Sequence, residues 1–201
     1  VATGIRYCFG NAPLRRLLIR GFALGFSLAA YQGLLPAVVS GPMRGTEIDF
    51  GVMLGLFGIG SIATAPFIGR IRHAMGLEGI LALGSAMFVF SFWVLAAAAE
   101  LFQAFPAAVV AGSAWVLILT TLNTAVQLRS PDEILGRCLS IYQAATFGGM
   151  ALGAWTWGMV ADVRSLPFAL HAASVFLILS FAVLRMIAPL PRLGEGVIRP
   201  K

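Results

Sequence analysis

A chain of 201 residues that is 59% hydrophobic and 11% charged, with a mean hydropathy of +0.91, has too few ionisable side chains to coat a water-soluble core. The net charge of +6 would suit a polyanion, but thirteen of the fourteen basic residues are Arg at segment ends and no basic stripe alternates with aromatics, so no nucleic acid partner is expected. The composition points to the lipid bilayer as the partner. No metal site or cofactor is expected, because Cys8 and Cys138 lack CxxC spacing and no P-loop exists to hold ATP.

Residues 1–17 read as a cytoplasmic linker or interfacial segment. They hold Arg6, Arg15 and Arg16, and the first twenty residues contain no apolar h-region or cleavage site, so no signal peptide fits. A first residue of Val rather than Met suggests a truncated or processed start. Six windows without Asp, Glu, Lys or Arg follow, each of at least 20 residues: 21–43, 50–69, 79–99, 101–128, 138–161 and 165–184. About 20 residues of helix cross the hydrocarbon core of a bilayer. The runs are continuous and too long for barrel strands. The expected fold is therefore an all-α membrane protein, a six-transmembrane-helix bundle over residues 18–190. Its helices lie at about 18–41, 50–69, 79–99, 103–128, 138–161 and 166–187, with Pro36, Pro66 and Pro106 inside them, and a cytoplasmic tail covers 188–201.

The polar residues divide these helices. The first carries Ser27 and Tyr31 at i, i+4, with Gln32 adjacent. The second has Ser61 and Thr64 and is crowded with glycine. The third has Ser85 and Ser91 on different faces. On the fourth, Ser113, Thr120, Asn123, Thr124 and Gln127 fall near one stripe. On the fifth, Tyr142 and Thr146 share a face with Gly149 and Gly153, and Gln143 lies beside it. The sixth has scattered serines and His171 near its outer end. Helices one, two, four and five thus read as cavity liners, and three and six as peripheral. The candidate substrate path is Tyr31, Gln32, Trp115, Thr120, Asn123, Gln127, Tyr142, Gln143 and Thr146. An amide and aromatic lining of this kind suits an amphipathic organic solute. It does not suit an inorganic ion, which would call for charged rings or carbonyl filters.

Gly51-xxx-Gly55 and Gly149-xxx-Gly153 have the small-xxx-small spacing of close helix packing. The run from Phe50 to Gly55 also echoes Phe147 to Gly153 with one residue inserted, which hints at a 3+3 inverted repeat. Assigning the joints alternately to two sides puts 12 Lys and Arg on one side, and only Arg44 and Arg164 on the other. By the positive-inside rule both termini are cytoplasmic.

Three stretches resemble the C-terminal half, helices seven to twelve, of a major facilitator superfamily transporter. The resemblance is strongest to the enterobactin-exporter-like, transmembrane secretion effector branch. The first stretch is Asn11-Ala12-Pro13-Leu14-Arg15-Arg16-Leu17-Leu18. The second is Gly69-Arg70-Ile71-Arg72-His73-Ala74-Met75-Gly76, similar to the superfamily's Gly-and-Arg cytoplasmic loop without its usual Asp. The third runs from Ala114-Trp115 through Leu122-Asn123, Gln127-Leu128, Arg137 and Tyr142-Gln143 to Trp157-Gly158. The resemblance implies secondary active efflux by alternating access across the plasma (bacterial inner) membrane. It also implies an N-terminal six-helix half, or a second copy, as partner. The coupling carboxylate of an antiporter would then lie in that other half, since no window here contains one. Two further readings stay open. One is a non-transporting subunit or scaffold. The other is an intramembrane hydrolase built on Ser113 and His171, which lack a nucleophile elbow.

Overall fold

The computed structural model describes residues 2–190, and among these there is no strand. A short α1 (Ala2–Gly10) precedes six long helices: α2 (Ala12–Ser40), α3 (Glu47–Thr64), α4 (Ile68–Ala97), α5 (Leu101–Gln127), α6 (Leu135–Val163) and α7 (Leu166–Ile187). The tail beyond residue 190, with Arg192, Arg199 and Lys201, lies outside the described residues.

Local chemistry sets the helix starts. The Asn11 side chain accepts from the Leu14 N–H at 3.4 Å and Pro13 sits in the first turn, so α2 begins six residues before the expected 18. Charged residues need not end a helix, and Arg15, Arg16 and Arg20 simply continue it. At α3, Thr46 and Asp49 form a reciprocal capping box, with the Asp49 carboxylate accepting from the Thr46 N–H at 2.7 Å. Ser165 caps α7 and Pro167 lies in its first turn.

The second crossing does not end where its charge-free window ends. Pro66 sits in a single 3-10 turn, Ala65–Phe67, rather than in α-helix, and the residues on either side keep right-handed helical dihedrals. The break comes at Gly76, whose φ of 67° and ψ of −178° lie outside helical space. Gly is the residue that adopts such a φ without steric cost. The next crossing therefore spans 77–97.

Side-chain contacts give the bundle two ends. Arg20 of α2 meets Glu78 of α4 and Ala188 just past α7, while Trp93 of α4 meets His171 and Ser174 of α7 at the opposite end. Among the described residues, the Arg20 end collects nine of the eleven Arg, leaving Arg44 and Arg164 at the other. Among the described residues, four stretches are long and apolar enough to span a bilayer: Ala12–Ser40, Glu47–Ala97 (α3 and α4 together), Leu101–Gln127 and Leu166–Ile187. α6 falls short because Tyr142, Gln143, Thr146, Thr156 and five glycines dilute its apolar residues.

Packing exchanges helices between the two triplets α2–α4 and α5–α7. α2 lies along α6 in parallel: Gly21 faces Thr146, Gly25 faces Thr146 and Met150, Phe26 faces Gly153, and Gly33 faces Ala154. α3 crosses α5 where Gly60 meets Val109 and Gly112 meets Phe57, and each helix's serine donates to the other's carbonyl (Ser61 to Gly112 O at 2.9 Å, Ser113 to Gly60 O at 3.1 Å). A Cβ at Gly25, Gly60, Gly112, Gly149 or Gly153 would overlap a facing backbone carbonyl. Glycine is what permits this approach. The two interfaces correspond under exchange of the triplets, as a 3+3 inverted repeat requires. The two halves of the sequence echo do not occupy matching positions: Gly149 and Gly153 face α2 at mid-helix, whereas nothing lies within 4 Å of a Cβ at Gly51 or Gly55.

Candidate substrate cavity

A cavity of about 300 Å³ lies between α2 and α3 and is lined by Tyr31, Gln32, Leu35, Phe50, Leu54 and Phe57. Tyr31 and Phe57 stack with ring centroids 5.7 Å apart, and Phe88 of α4 meets the other side of Tyr31 edge-on at 6.2 Å. These contacts hold Tyr31 at 1% exposure, yet its hydroxyl has no hydrogen-bond partner. A buried hydroxyl left so costs about 1–3 kcal/mol unless water or a solute completes it. Gln32 beside it is exposed and offers both a donor and an acceptor.

A second cavity of about 220 Å³ continues toward the end of the bundle that carries Arg44, lined by Pro36, Val39, Ser40, Gly45, Thr46, Glu47 and Phe50. Phe50 belongs to both walls. A third space, of only about 10 Å³, lies among α2, α5 and α6, bounded by Gly21, Gly25, Trp115, Tyr142 and Thr146 with a Leu and Ile surround. It has room for one water at most. The Thr146 hydroxyl donates to the Tyr142 carbonyl at 3.0 Å, and the Tyr142 side chain is buried beside it. α4 and α7 contribute no lining residue to these three spaces.

The candidate path residues thus fall into separate groups. Tyr31 and Gln32 line the large cavity, and Trp115, Tyr142 and Thr146 line the small crevice. Thr120, Asn123, Gln127 and Gln143 line neither. The Thr120 hydroxyl donates to the Val116 carbonyl at 2.6 Å, a turn earlier on its own helix, as Thr124 does to Thr120. Asn123 keeps its side-chain oxygen buried without a partner, while Gln127 and Gln143 are exposed. The α5 stripe is therefore largely satisfied by its own backbone and by α3. Phe50, Leu54 and Phe57, at i, i+4 and i+7, form the cavity wall that a search for polar stripes passes over. Their spacing on one helical face was the available signal.

Of the cytoplasmic-loop residues, Gly69 and Arg70 are exposed, Arg72 has a buried, unpartnered Nε, and Gly76 makes the break. Ser113 does not meet His171: its hydroxyl donates to the Gly60 and Val109 carbonyls, and the His171 ring packs edge-on against Trp93 at 5.1 Å. Cys8 of α1 and Cys138 of α6 are both buried free thiols. Burial, and then a hydrogen bond with the Cys138 side chain, push the Cys8 thiol up to about 12. Among the described residues, no group of three or more His, Cys, Asp or Glu could hold a metal ion.

A family model described as transmembrane secretion effector matches residues 1–199. The chain belongs to that family. It is a membrane transporter of the major facilitator type. No curated protein matches this transmembrane secretion effector sequence.

Proposed function

We propose that this transporter is the C-terminal, six-helix half of a secondary active exporter. It moves an amphipathic organic solute by alternating access across the plasma membrane, with both termini cytoplasmic and a second six-helix unit as partner. One observation carries the reading: the cavity of about 300 Å³ whose aromatic wall holds a buried, unpartnered Tyr31 hydroxyl beside the exposed Gln32 amide. Apolar surface with few, well-placed polar groups is how proteins hold small organic molecules. The skew of arginines to one end supports the orientation. The hydroxyl of Ser113, engaged with two carbonyls, supports a carrier rather than a hydrolase.

Single cysteines test the site. In the complete transporter in membrane vesicles, a Gln32→Cys variant should react with a maleimide, and an exported amphipathic dye should slow that reaction. Unchanged labelling at every dye concentration, together with wild-type efflux by Tyr31→Ala, would remove this cavity from the transport path.

A further inference from the structure

The two spaces against α2 and α3 have opposite characters. Around Tyr31, Phe50, Leu54 and Phe57 the wall is aromatic and aliphatic, and no charged residue lines it. Around Ser40, Thr46 and Glu47 it carries two hydroxyls and a carboxylate. Phe50 borders both, so the two spaces adjoin at its ring. Tyr31 and Ser40 are nine residues apart on α2, a rise of about 13 Å.

The charge at the outer end is specific. Two carboxylates open α3, Glu47 and Asp49. Asp49 is engaged, accepting from the Thr46 N–H at 2.7 Å and the Thr46 hydroxyl at 2.9 Å, and it does not line the outer space. Glu47 lines it, is exposed, and has no ion-pair partner among the described residues. Arg44, the only basic residue in the turn between α2 and α3, lines neither space. Adjoining spaces, one aromatic and the other singly negative, complement a solute of the inverse pattern.

We infer that the adjoining spaces take an elongated solute with an aromatic or apolar head at Tyr31 and Phe57 and a cationic amine at Glu47, beyond the Phe50 ring, on a scale set by the rise of about 13 Å from Tyr31 to Ser40. This rests on the transport reading of the same cavity and adds charge selectivity to it. Because Glu47 is exposed, water and salt screen its attraction, and the preference for a cation is about five-fold at low ionic strength.

Binding to the purified chain in nanodiscs tests this, with two fluorescent probes: a naphthyl group joined by a six-carbon chain to a primary ammonium, and its N-acetylated, neutral counterpart. The ammonium probe should bind about five-fold more tightly, the difference should shrink with added salt, and Glu47→Gln should bring the two probes level. Phe50→Ala should weaken both. Two probes of equal affinity, both weakened by Phe50→Ala, would overturn the charge selectivity and leave the cavity as a solute site. Binding indifferent to Phe50→Ala would overturn both. A preference for the ammonium that survives Glu47→Gln would also overturn the assignment, since the cation would then be held elsewhere.

Discussion

Arg20 and Glu78, 58 positions apart in the chain, meet at 2.9 Å and bind the ends of three helices together. Arg20 is buried and lies over the Phe181 ring at 5.5 Å. It also donates to the Ala188 carbonyl at 3.4 Å, while the Glu78 carboxylate accepts from the Leu190 N–H at 2.8 Å. Arg16 adds a bond to the Pro189 carbonyl at 3.1 Å. The segment leaving α7 is thereby strapped across α2 and α4. A guanidinium suits this place because its fork of donors reaches a carboxylate and a carbonyl at once.

Removing Glu78 strands a buried cation. Fully buried pairs lose about 3–5 kcal/mol when one partner goes. The Glu78 side chain is 24% exposed, so water recovers part of that and a loss of about 2 kcal/mol is expected for Glu78→Ala. Glu78→Gln keeps an acceptor for Leu190 and should lose less. Thermal melts of the detergent-solubilised chain distinguish the two; equal stability of all three proteins would show the strap to be incidental.

The glycines divide by what faces them. Gly153→Ala and Gly149→Ala should each cost about 1–3 kcal/mol, because a methyl group there meets the Phe26 or Phe22 carbonyl rather than a yielding side chain. Gly51→Ala and Gly55→Ala should be neutral, or stabilising by up to about 1 kcal/mol through helix propensity, since nothing stands within 4 Å. Melting temperatures of the four variants report this directly. A loss on Gly51→Ala confined to the complete transporter would show that its other half occupies that side of α3.

Tyr31→Phe removes a hydroxyl that has no partner while keeping the stacked ring. Stability should hold or rise slightly, because nothing is lost but an unmet polar group. Dye efflux should fall if the solute is what completes that hydroxyl. The split between melting temperature and transport rate is the measurement, and unchanged efflux would release the hydroxyl from any role.

The Cys8 thiol should be slow with maleimide at neutral pH and accelerate only as the solution approaches pH 12. Its acidity is weakened by folding, so its contribution to stability is complete below the unfolded value of about 9 and fades as pH rises through about 12. Stopped-flow labelling across pH checks the first statement and alkaline melts check the second. Fast labelling at pH 7 would contradict the buried placement.

The fold was largely legible because lipid imposes one rule on every segment: long uncharged runs must be helices, and charges collect at their ends. What stayed hidden was whatever depends on pairing across the bundle. Arg20 looked like a residue at the edge of the first span, and only the folded chain brings Glu78 to bury with it. Thr120 and Thr124 looked like a wet stripe, but a hydroxyl on a helix can satisfy itself one turn back. Phe50, Leu54 and Phe57 carry no polar group to mark them, and only the packing of α2 beside α3 makes them a cavity wall.

The exchange of helices between the triplets has a consequence for biogenesis. The α2 surface around Phe26 waits for Gly153, 127 residues later in the chain, and α3, with only Met53 and Gly60 buried, waits for α5. At about 5–20 residues per second of synthesis, the leading triplet spends roughly 6–25 seconds in the membrane without the surfaces it docks on. Those early helices must be held by lipid or by the insertion machinery until the ribosome has delivered the fifth crossing. Insults that release nascent chains in that interval should leave an open triplet for the membrane proteases.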